Sequence, residues 1–192
     1  IKKGSNGADI SFVEVGGTVG DIESLPFLEA IRQLNMEMND SHTLFIHLTL
    51  LPKVDVTNEI KTKPTQHSVK ELRSIGIQPD VLLCRAKNTI DDNIKNKISL
   101  FTNVDKKAVF SAQDAKSIYE IPIYYKNQNI DEYILKKLKV PHKKSVIKPW
   151  VTFTNKLRKC NRKVKIGMIG KYVDLADSYK SLNESLLHAS VH

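Results

Sequence analysis

The chain has 192 residues, of which 41% are hydrophobic and 27% are charged, and its formal net charge is +9. This composition is typical of a globular protein, and the length suffices for one full α/β domain with a sizeable core. No apolar run approaches the roughly 20 residues that a membrane-spanning helix needs, so we expect no membrane association. The first residues, Ile1 to Gly4, lack a signal-peptide core and an initial methionine, which suggests a piece of a longer chain.

The cysteines and the distribution of basic residues further restrict the class of protein. Cys84 and Cys160 are too few for a disulfide framework, and free thiols in a cytoplasmic protein are the simpler expectation. Most of the excess positive charge lies between Lys136 and Lys165. Nucleic-acid binding is one interpretation of that charge, but no basic motif with interleaved aromatic residues appears. We therefore rank it last and favour a solvated, lysine-rich face.

Strand and helix patterns alternate along the chain. Apolar stretches predict strands at Ala8–Val15, Thr43–Leu50 and Val81–Cys84. The segment Lys106–Phe110 leads into a fourth strand, and Ile118–Tyr125 is predicted to close the sheet. Helical periodicity predicts helices at Leu25–Met38, from a cap at Thr65 to Gly76, at Asp91–Leu100 and at Ile130–Leu138. This alternation predicts an α/β fold with a doubly wound parallel sheet.

Local signals refine two of these elements. Ser24 suits the N-cap of the first long helix, Pro26 suits its first turn, and Asn39–Ser41 ends it. The nearly continuous apolar run of the second strand is typical of a strand covered on both faces. His47 within that strand is predicted to be a hydrogen-bonded core residue rather than a catalyst.

A change of composition after residue 140 predicts a domain boundary. We assign residues 1–140 to one domain and residues 141–163 to a linker that carries a short helix with Trp150, Phe153 and Leu157 on one face. Residues 164–192 then begin a second α/β domain, with a strand and turn at Val164–Tyr172 and a helix at Asp177–Ala189.

The stretch Glu14–Ser24 combines three glycines with three carboxylates between a predicted strand and a predicted helix. Glycines permit a sharp turn and a close approach to a ligand, and a carboxylate at a strand end can hold a hard cation. The stretch is thus a candidate floor for a metal-bearing nucleotide polyphosphate. It lacks the Lys-Ser/Thr of a phosphate loop. The alternative is a glycine-rich turn whose carboxylates favour the dipole of the next helix.

The loop Lys61–Gln66 brackets a proline with two lysines and two threonines. Lysines beside a helix N-terminus form a ready anion site, to which threonine hydroxyls add donors. On the residues alone, a solvated loop that leads into a helix is an equal alternative.

Two long motifs resemble the CTP synthase family: Phe12–Gln33, with its Glu-Val-Gly-Gly-Thr-Val-Gly-Asp-Ile-Glu-Ser core, and Glu59–Leu72. Their order and spacing fit that family, and a looser likeness extends along nearly the whole chain. The resemblance implies a P-loop, dethiobiotin-synthetase-like amidoligase domain followed by the start of a class I glutamine amidotransferase domain.

The resemblance also implies an activity. Family enzymes use ATP and Mg²⁺ to phosphorylate the 4-oxygen of UTP, and ammonia released from glutamine then displaces the phosphate to give CTP. CTP is a feedback inhibitor, and the enzymes are cytoplasmic homotetramers. The phosphate loop and the amidotransferase triad match no part of this chain, so we expect no catalytic residue here and no CTP synthesis by this piece alone.

Residue roles carried over from the family fall into four sets. The metal-binding residue is Glu14, and the CTP-binding residues are Asp21, Ile22 and Glu23. The residues shared by UTP and CTP are Lys61, Thr62, Lys63, Pro64, Thr65, Gln66 and Lys97. The ATP-binding residues are Arg85, Asp114 and Ala115, although the family usually has a different apolar residue at Ala115. Neither cysteine matches the amidotransferase nucleophile.

A second hypothesis assigns the chain to a different class. It could be a catalytically silent module that binds CTP or UTP and contributes subunit contacts, using the carboxylates at Glu14, Asp21 and Glu23 opposite the lysines. A thermal shift with CTP that disappears in Lys61→Ala would favour this alternative.

Overall fold

A computed structural model describes residues 1–38, 42–54, 59–141 and 145–191. The described strands are β1 (Ile46–Leu50), β2 (Lys53–Val54), β3 (Glu59–Ile60), β4 (Val81–Ala86) and β5 (Val109–Gln113). The described helices are α1 (Lys2–Ser5), α2 (Leu25–Glu37), α3 (Lys63–Ser74), α4 (Asp92–Thr102), α5 (Ile121–Asn127), α6 (Ile130–Lys137), α7 (Lys148–Lys159) and α8 (Lys180–Val191). Short 3₁₀ turns occur at Ile22–Ser24, Lys106–Ala108, Ile118–Glu120 and Ala176–Tyr179.

A three-stranded parallel sheet in the order β1-β4-β5 forms the centre of the fold. The chain crosses from β1 to β4 through α3 and from β4 to β5 through α4, as parallel pairing requires. Val81 and Leu82 on β4 are completely buried, as is Ile98 on α4, and Val69 on α3 is 1% exposed. The prediction of an α/β fold with a parallel sheet is confirmed. β2 and β3 form a separate antiparallel hairpin between β1 and α3.

Several predicted elements are confirmed with small shifts of their ends. The first long helix begins at Leu25 with Pro26 in its first turn, as expected, although the Ser24 hydroxyl donates to the Asp21 carbonyl rather than capping the helix. His47 is buried and hydrogen-bonded to Ser68 at 2.8 Å. The predicted helix end at residues 39–41 lies outside the described residues.

The predicted strand at Ala8–Val15 is wrong, because this stretch is irregular in the structure. Phe12 is 84% exposed, and none of the described strands pairs with this stretch. The expectation that β1 is covered on both faces is also wrong within the described residues. Its burial alternates, and Leu48 and Leu50 are 63% and 58% exposed.

Two further apolar stretches differ from the prediction. Residues 118–125 form a 3₁₀ turn and α5 rather than a strand, because Pro122 lacks an amide donor and suits the first turn of a helix. Val164–Tyr172 has no regular strand, and Ile169 on it is fully exposed. Thr65 does not cap α3, since that helix already begins at Lys63.

The chain divides into two compact units, residues 1–114 with 128–143 and residues 115–127 with 144–192. Within the second unit, Arg158 on α7 donates to the buried Glu120 carboxylate, with Nε 3.0 Å from Oε1. Tyr119 in the same unit packs against the rings of Trp150 and Phe153. The predicted domain boundaries at residues 140 and 163 stay predictions. Among the described residues, none of the helices combines the length and apolar character needed to cross a membrane.

Candidate functional site

The carboxyl ends of the three parallel strands meet at one edge of the sheet. Leu50 on β1 pairs with Arg85 on β4, and Ala112 on β5 pairs with the same arginine. The hairpin and the lysine loop follow β1, and Asp114 follows β5 directly. Most of the predicted nucleotide-binding residues therefore lie at or just after the carboxyl ends of the strands. This is the edge of the sheet where open α/β folds bind ligands.

The lysine loop, residues 61–63, is held between the β2–β3 hairpin and α3. The Lys61 backbone amide donates to the Pro52 carbonyl at 2.9 Å, which fixes the exit from the hairpin. Its ammonium group lies 2.6 Å from Glu59 Oε2, and both side chains are about half exposed (47% and 55%). Lys63 is exposed and starts α3, with Pro64 in the first turn.

Lys97 on α4 reaches the same neighbourhood from another element. The pKa of Glu59 is lowered, chiefly by its hydrogen bond to Lys61 and also by the positive charge of Lys97. Lys61 therefore pairs directly with this carboxylate, whereas Lys97 acts on it only through its charge and forms no ion pair with it among the described residues. Glu59 was missed as a candidate, although its place two residues before Lys61 is a usable signal.

The polar side chains that alternate with and follow the lysines, Thr62, Thr65 and Gln66, form hydrogen bonds within the chain. The Gln66 amide donates to Thr62 Oγ1 at 3.0 Å, and Thr62 is 4% exposed. Thr65 is completely buried, with its hydroxyl 3.1 Å from both the Leu50 carbonyl and Thr49 Oγ1. The exposed cationic groups of this loop are therefore those of the lysines, and the threonines build the base beneath them.

The glycine-rich stretch forms a compact turn closed by Asp21. The Thr18 amide donates to Asp21 Oδ2 at 2.7 Å, and the Asp21 amide donates to the Thr18 carbonyl at 3.0 Å. Gly17 and Gly20 adopt φ values of +86° and +104°, which favour glycine. Ile22, at 82% exposure, and the exposed Glu23 project from the 3₁₀ turn that follows.

This turn lies against the later part of α3. Val15 and Val19 pack on a buried cluster formed by Leu28, Leu72 and Ile77. A Cβ on Gly20 would lie 3.5 Å from the Glu71 side chain. Because a helix rises about 1.5 Å per residue, positions 63 and 71 are about 12 Å apart along α3.

The acidic residues of the turn and the lysines are therefore not in direct contact in a single chain. Among the described residues, Asp21 and Glu23 form no ion pair with a lysine.

The predicted ATP-binding residues come together in part. Arg85 Nε lies 3.6 Å from Asp114 Oδ1, and both side chains are exposed. The Asp114 amide donates to the Ala86 carbonyl at 3.1 Å, which continues the β4–β5 ladder by one step. Ala115 is half-buried and belongs to the second compact unit.

Glu14 is exposed and forms no hydrogen bond or ion pair with the described residues. Within the same part of the chain, no three histidine, cysteine, aspartate or glutamate side chains gather to hold a metal ion. A lone accessible carboxylate nevertheless fits Mg²⁺, which usually takes one or two protein carboxylates and completes its shell with water and substrate phosphates.

The cysteines do not have the surroundings of a nucleophile. Burial raises the pKa of the Cys84 thiol to about 11, although the hydrogen bond from Thr49 and the charge of Lys95 oppose this rise. Cys84 is therefore protonated at neutral pH, and only thiolates are good nucleophiles. Cys160 is free and exposed.

The parallel sheet with a basic loop at its carboxyl edge places this chain among the α/β proteins, a class in which ligands commonly bind beyond the strand ends. Comparison with known proteins then gives the family. The family model described as CTP synthase N-terminus matches residues 1–140. A CTP synthase from Maridesulfovibrio salexigens is 52% identical over 186 residues, which cover 97% of this chain and 34% of that protein.

This chain belongs to the CTP synthase family, and the resemblance of its two motifs is confirmed. The chain spans about a third of the length of the relative that it matches, since it covers 34% of it.

Proposed function

We propose that this chain is part of an enzyme that aminates UTP to CTP, using ATP, glutamine-derived ammonia and a 4-phosphorylated UTP intermediate. Membership of the CTP synthase family supports the proposal. The observation that carries it is the exposed lysine loop at the carboxyl edge of the sheet, where Lys61 pairs with Glu59 and the charge of Lys97 also lowers the pKa of that carboxylate. Concentrated positive charge at a strand-end cleft is what a nucleoside triphosphate requires.

The triphosphate shared by UTP and CTP is proposed to bind at the lysine loop. Lys61, Lys63 and Lys97 supply point charges for its oxygens, and Lys63 stands in the first turn of the 12-residue α3, whose free amides favour an anion. Thr62, Pro64, Thr65 and Gln66 would set the backbone of this contact, since Pro64 lies in the first turn of α3 and the polar side chains of the other three are engaged within the chain. This binding holds the pyrimidine for attack at its 4-position.

CTP, as feedback inhibitor, is proposed to use the same triphosphate contacts with Asp21, Ile22 and Glu23 in addition. These residues project from an exposed turn, which is compatible with contact to a ligand. Because that turn and the lysines lie at different ends of α3, the nucleotide would have to reach across the helix or between neighbouring copies in a homotetramer.

ATP is proposed to bind beside Arg85, Asp114 and Ala115. The exposed guanidinium of Arg85 suits a phosphate or a ring face, and the Asp114 segment suits the edge of the adenine. Glu14 would supply one ligand to Mg²⁺, which neutralises phosphate charge when it is bound. Phosphoryl transfer needs positioning and charge compensation above all, and the residues of this chain supply both for the acceptor nucleotide.

The remaining parts of the proposal concern the whole protein. Residues 1–140 are assigned to the amidoligase domain, 141–163 to the linker and 164–192 to the start of the glutamine amidotransferase domain. Ammonia would come from glutamine in that further domain, and the full-length enzyme is proposed to be cytoplasmic. This chain alone is proposed not to make CTP.

One observation favours the alternative of a nucleotide-binding module without catalysis. The lysine loop is fixed by contacts made entirely within this chain, such as the hydrogen bond from the Lys61 amide to the Pro52 carbonyl. Triphosphate binding could therefore persist where catalysis does not.

The test compares the full-length protein with Lys61→Ala and with a control, Lys180→Ala, at the exposed start of α8. CTP formation from UTP, ATP and ammonia is measured by absorbance, and nucleotide binding by titration. We expect Lys61→Ala to raise the KM for UTP by about tenfold or more, since it removes a charged contact, and the control to leave it unchanged. No UTP-dependent CTP formation by the wild type would refute the enzymatic proposal. CTP binding that is retained without turnover would support the module instead.

A further inference from the structure

A chain of buried polar groups lies directly beneath the lysine loop. Thr65 on α3 is completely buried, and its hydroxyl lies 3.1 Å from the Leu50 carbonyl and 3.1 Å from Thr49 Oγ1 on β1. Thr49 is 6% exposed and donates to Cys84 Sγ on β4 at 3.6 Å. Three elements, α3, β1 and β4, are thus joined by buried hydroxyl and thiol groups.

These contacts are placed where they can fix the loop. Thr65 lies within the first turn of α3, two residues after Lys63, and the carbonyl that it bonds ends β1. The loop is tied on its other side by the hydrogen bond from the Lys61 amide to Pro52. Since a buried hydroxyl without a partner is costly, the pairing of Thr65 with β1 strongly favours one position of the helix start.

We infer that Thr49 and Thr65 are positioning residues, which set the lysine loop for the triphosphate of UTP without touching the nucleotide. The inference rests on the proposed function and adds a residue, Thr49, that lies outside both family motifs. Thr65 acts through its bond to β1, because its hydroxyl is enclosed by protein and committed to Thr49 and Leu50. Cys84 completes the chain as an acceptor, and its raised pKa keeps it a neutral thiol in this role.

The test uses the full-length protein with Thr49→Val, which keeps the branched shape and removes the hydroxyl. We expect the KM for UTP to rise by about fivefold, the loss expected for one buried hydrogen bond, with the KM for ATP within about twofold. Thr65→Val removes two contacts and should raise the KM for UTP further. Thr49→Ser, which restores a hydroxyl, should return it towards the wild-type value. Thr154→Val is the matched control, since Thr154 is 2% exposed and donates to the Trp150 carbonyl within α7.

A double-mutant cycle with Lys61→Ala separates positioning from general damage. If Thr49 acts through the loop, its effect on the KM for UTP shrinks when the Lys61 ammonium is absent. Equal effects in both backgrounds would overturn the inference, as would an unchanged KM in Thr49→Val and Thr65→Val. If one valine variant does not fold, the other decides the question. A wild type with no UTP-dependent turnover would instead refute the proposed function, and the inference with it.

Discussion

Glu59→Gln should tighten the binding of UTP and CTP to the full-length protein. The Glu59 carboxylate lies 2.6 Å from the Lys61 ammonium, and the charge of Lys97 also lowers its pKa, so under the proposed function it competes with a triphosphate for Lys61. Its pKa is lowered, chiefly by the hydrogen bond to Lys61, which keeps it ionised at neutral pH. Glutamine removes that negative charge and keeps the length of the side chain, so a triphosphate no longer competes with a carboxylate for Lys61.

The size of the effect follows from exposure. Both partners are about half exposed (47% and 55%), so solvent screens the pair, and exposed ion pairs change an equilibrium by about two- to fivefold. We therefore expect a dissociation constant about two- to fivefold lower at low salt. The gain should shrink at high salt, because the screening length falls to a few ångströms, about 3 Å at 1 M.

Calorimetric titration with CTP, at low and high salt, measures this change. Glu37→Gln is the matched control, since Glu37 is an exposed carboxylate paired with Lys2 at 3.3 Å. An equal gain in both variants would show only a change in net charge. Weaker binding by Glu59→Gln would refute the reasoning and show that Glu59 holds Lys61 ready for the ligand.

Buried groups elsewhere give further expected outcomes. Arg158→Ala should lower the thermal midpoint at neutral pH. The pKa of Glu120 is lowered, mainly by its hydrogen bond from Arg158. This interaction stabilises the fold above the ordinary pKa of glutamate, and the stabilisation is lost as the pH falls through the lowered pKa. The difference in thermal midpoint between wild type and Arg158→Ala should therefore be smaller at acidic pH. Iodoacetamide at neutral pH should modify Cys160 readily and Cys84 slowly, as measured by peptide mass spectrometry, because the Cys84 thiol is buried. Val69→Ala should lower the unfolding free energy by about 2 kcal/mol in urea titrations.

Local patterns predicted the elements that pack on the sheet. Val69 and Leu72 fall on one face of α3 and are buried, as helical periodicity requires. The start of α3 was placed too late because Thr65 resembles a cap. Pro64, which suits the first turn of a helix, was the better signal. Pro122 would likewise have corrected the strand predicted at residues 118–125.

Features that depend on distant pairing could not be predicted from the sequence. The stretch at residues 8–15 has the apolar pattern of a strand, but a strand also requires a neighbour, which sequence patterns do not supply. The site shows the same limit. The motifs placed the lysine loop, whereas the effect of the Lys97 charge on the pKa of Glu59 depends on how α4 and the β2–β3 hairpin are arranged. The nucleotide contacts themselves stay predictions.

The uncovered face of β1 has a practical consequence for work with this chain. Ile46, Leu48 and Leu50 present a row of aliphatic side chains on a strand at the border of the sheet. Such a row favours self-association of the chain as the protein concentration rises. Light scattering across a dilution series should accompany any titration of the isolated chain, so that a change in particle size is not mistaken for ligand uptake.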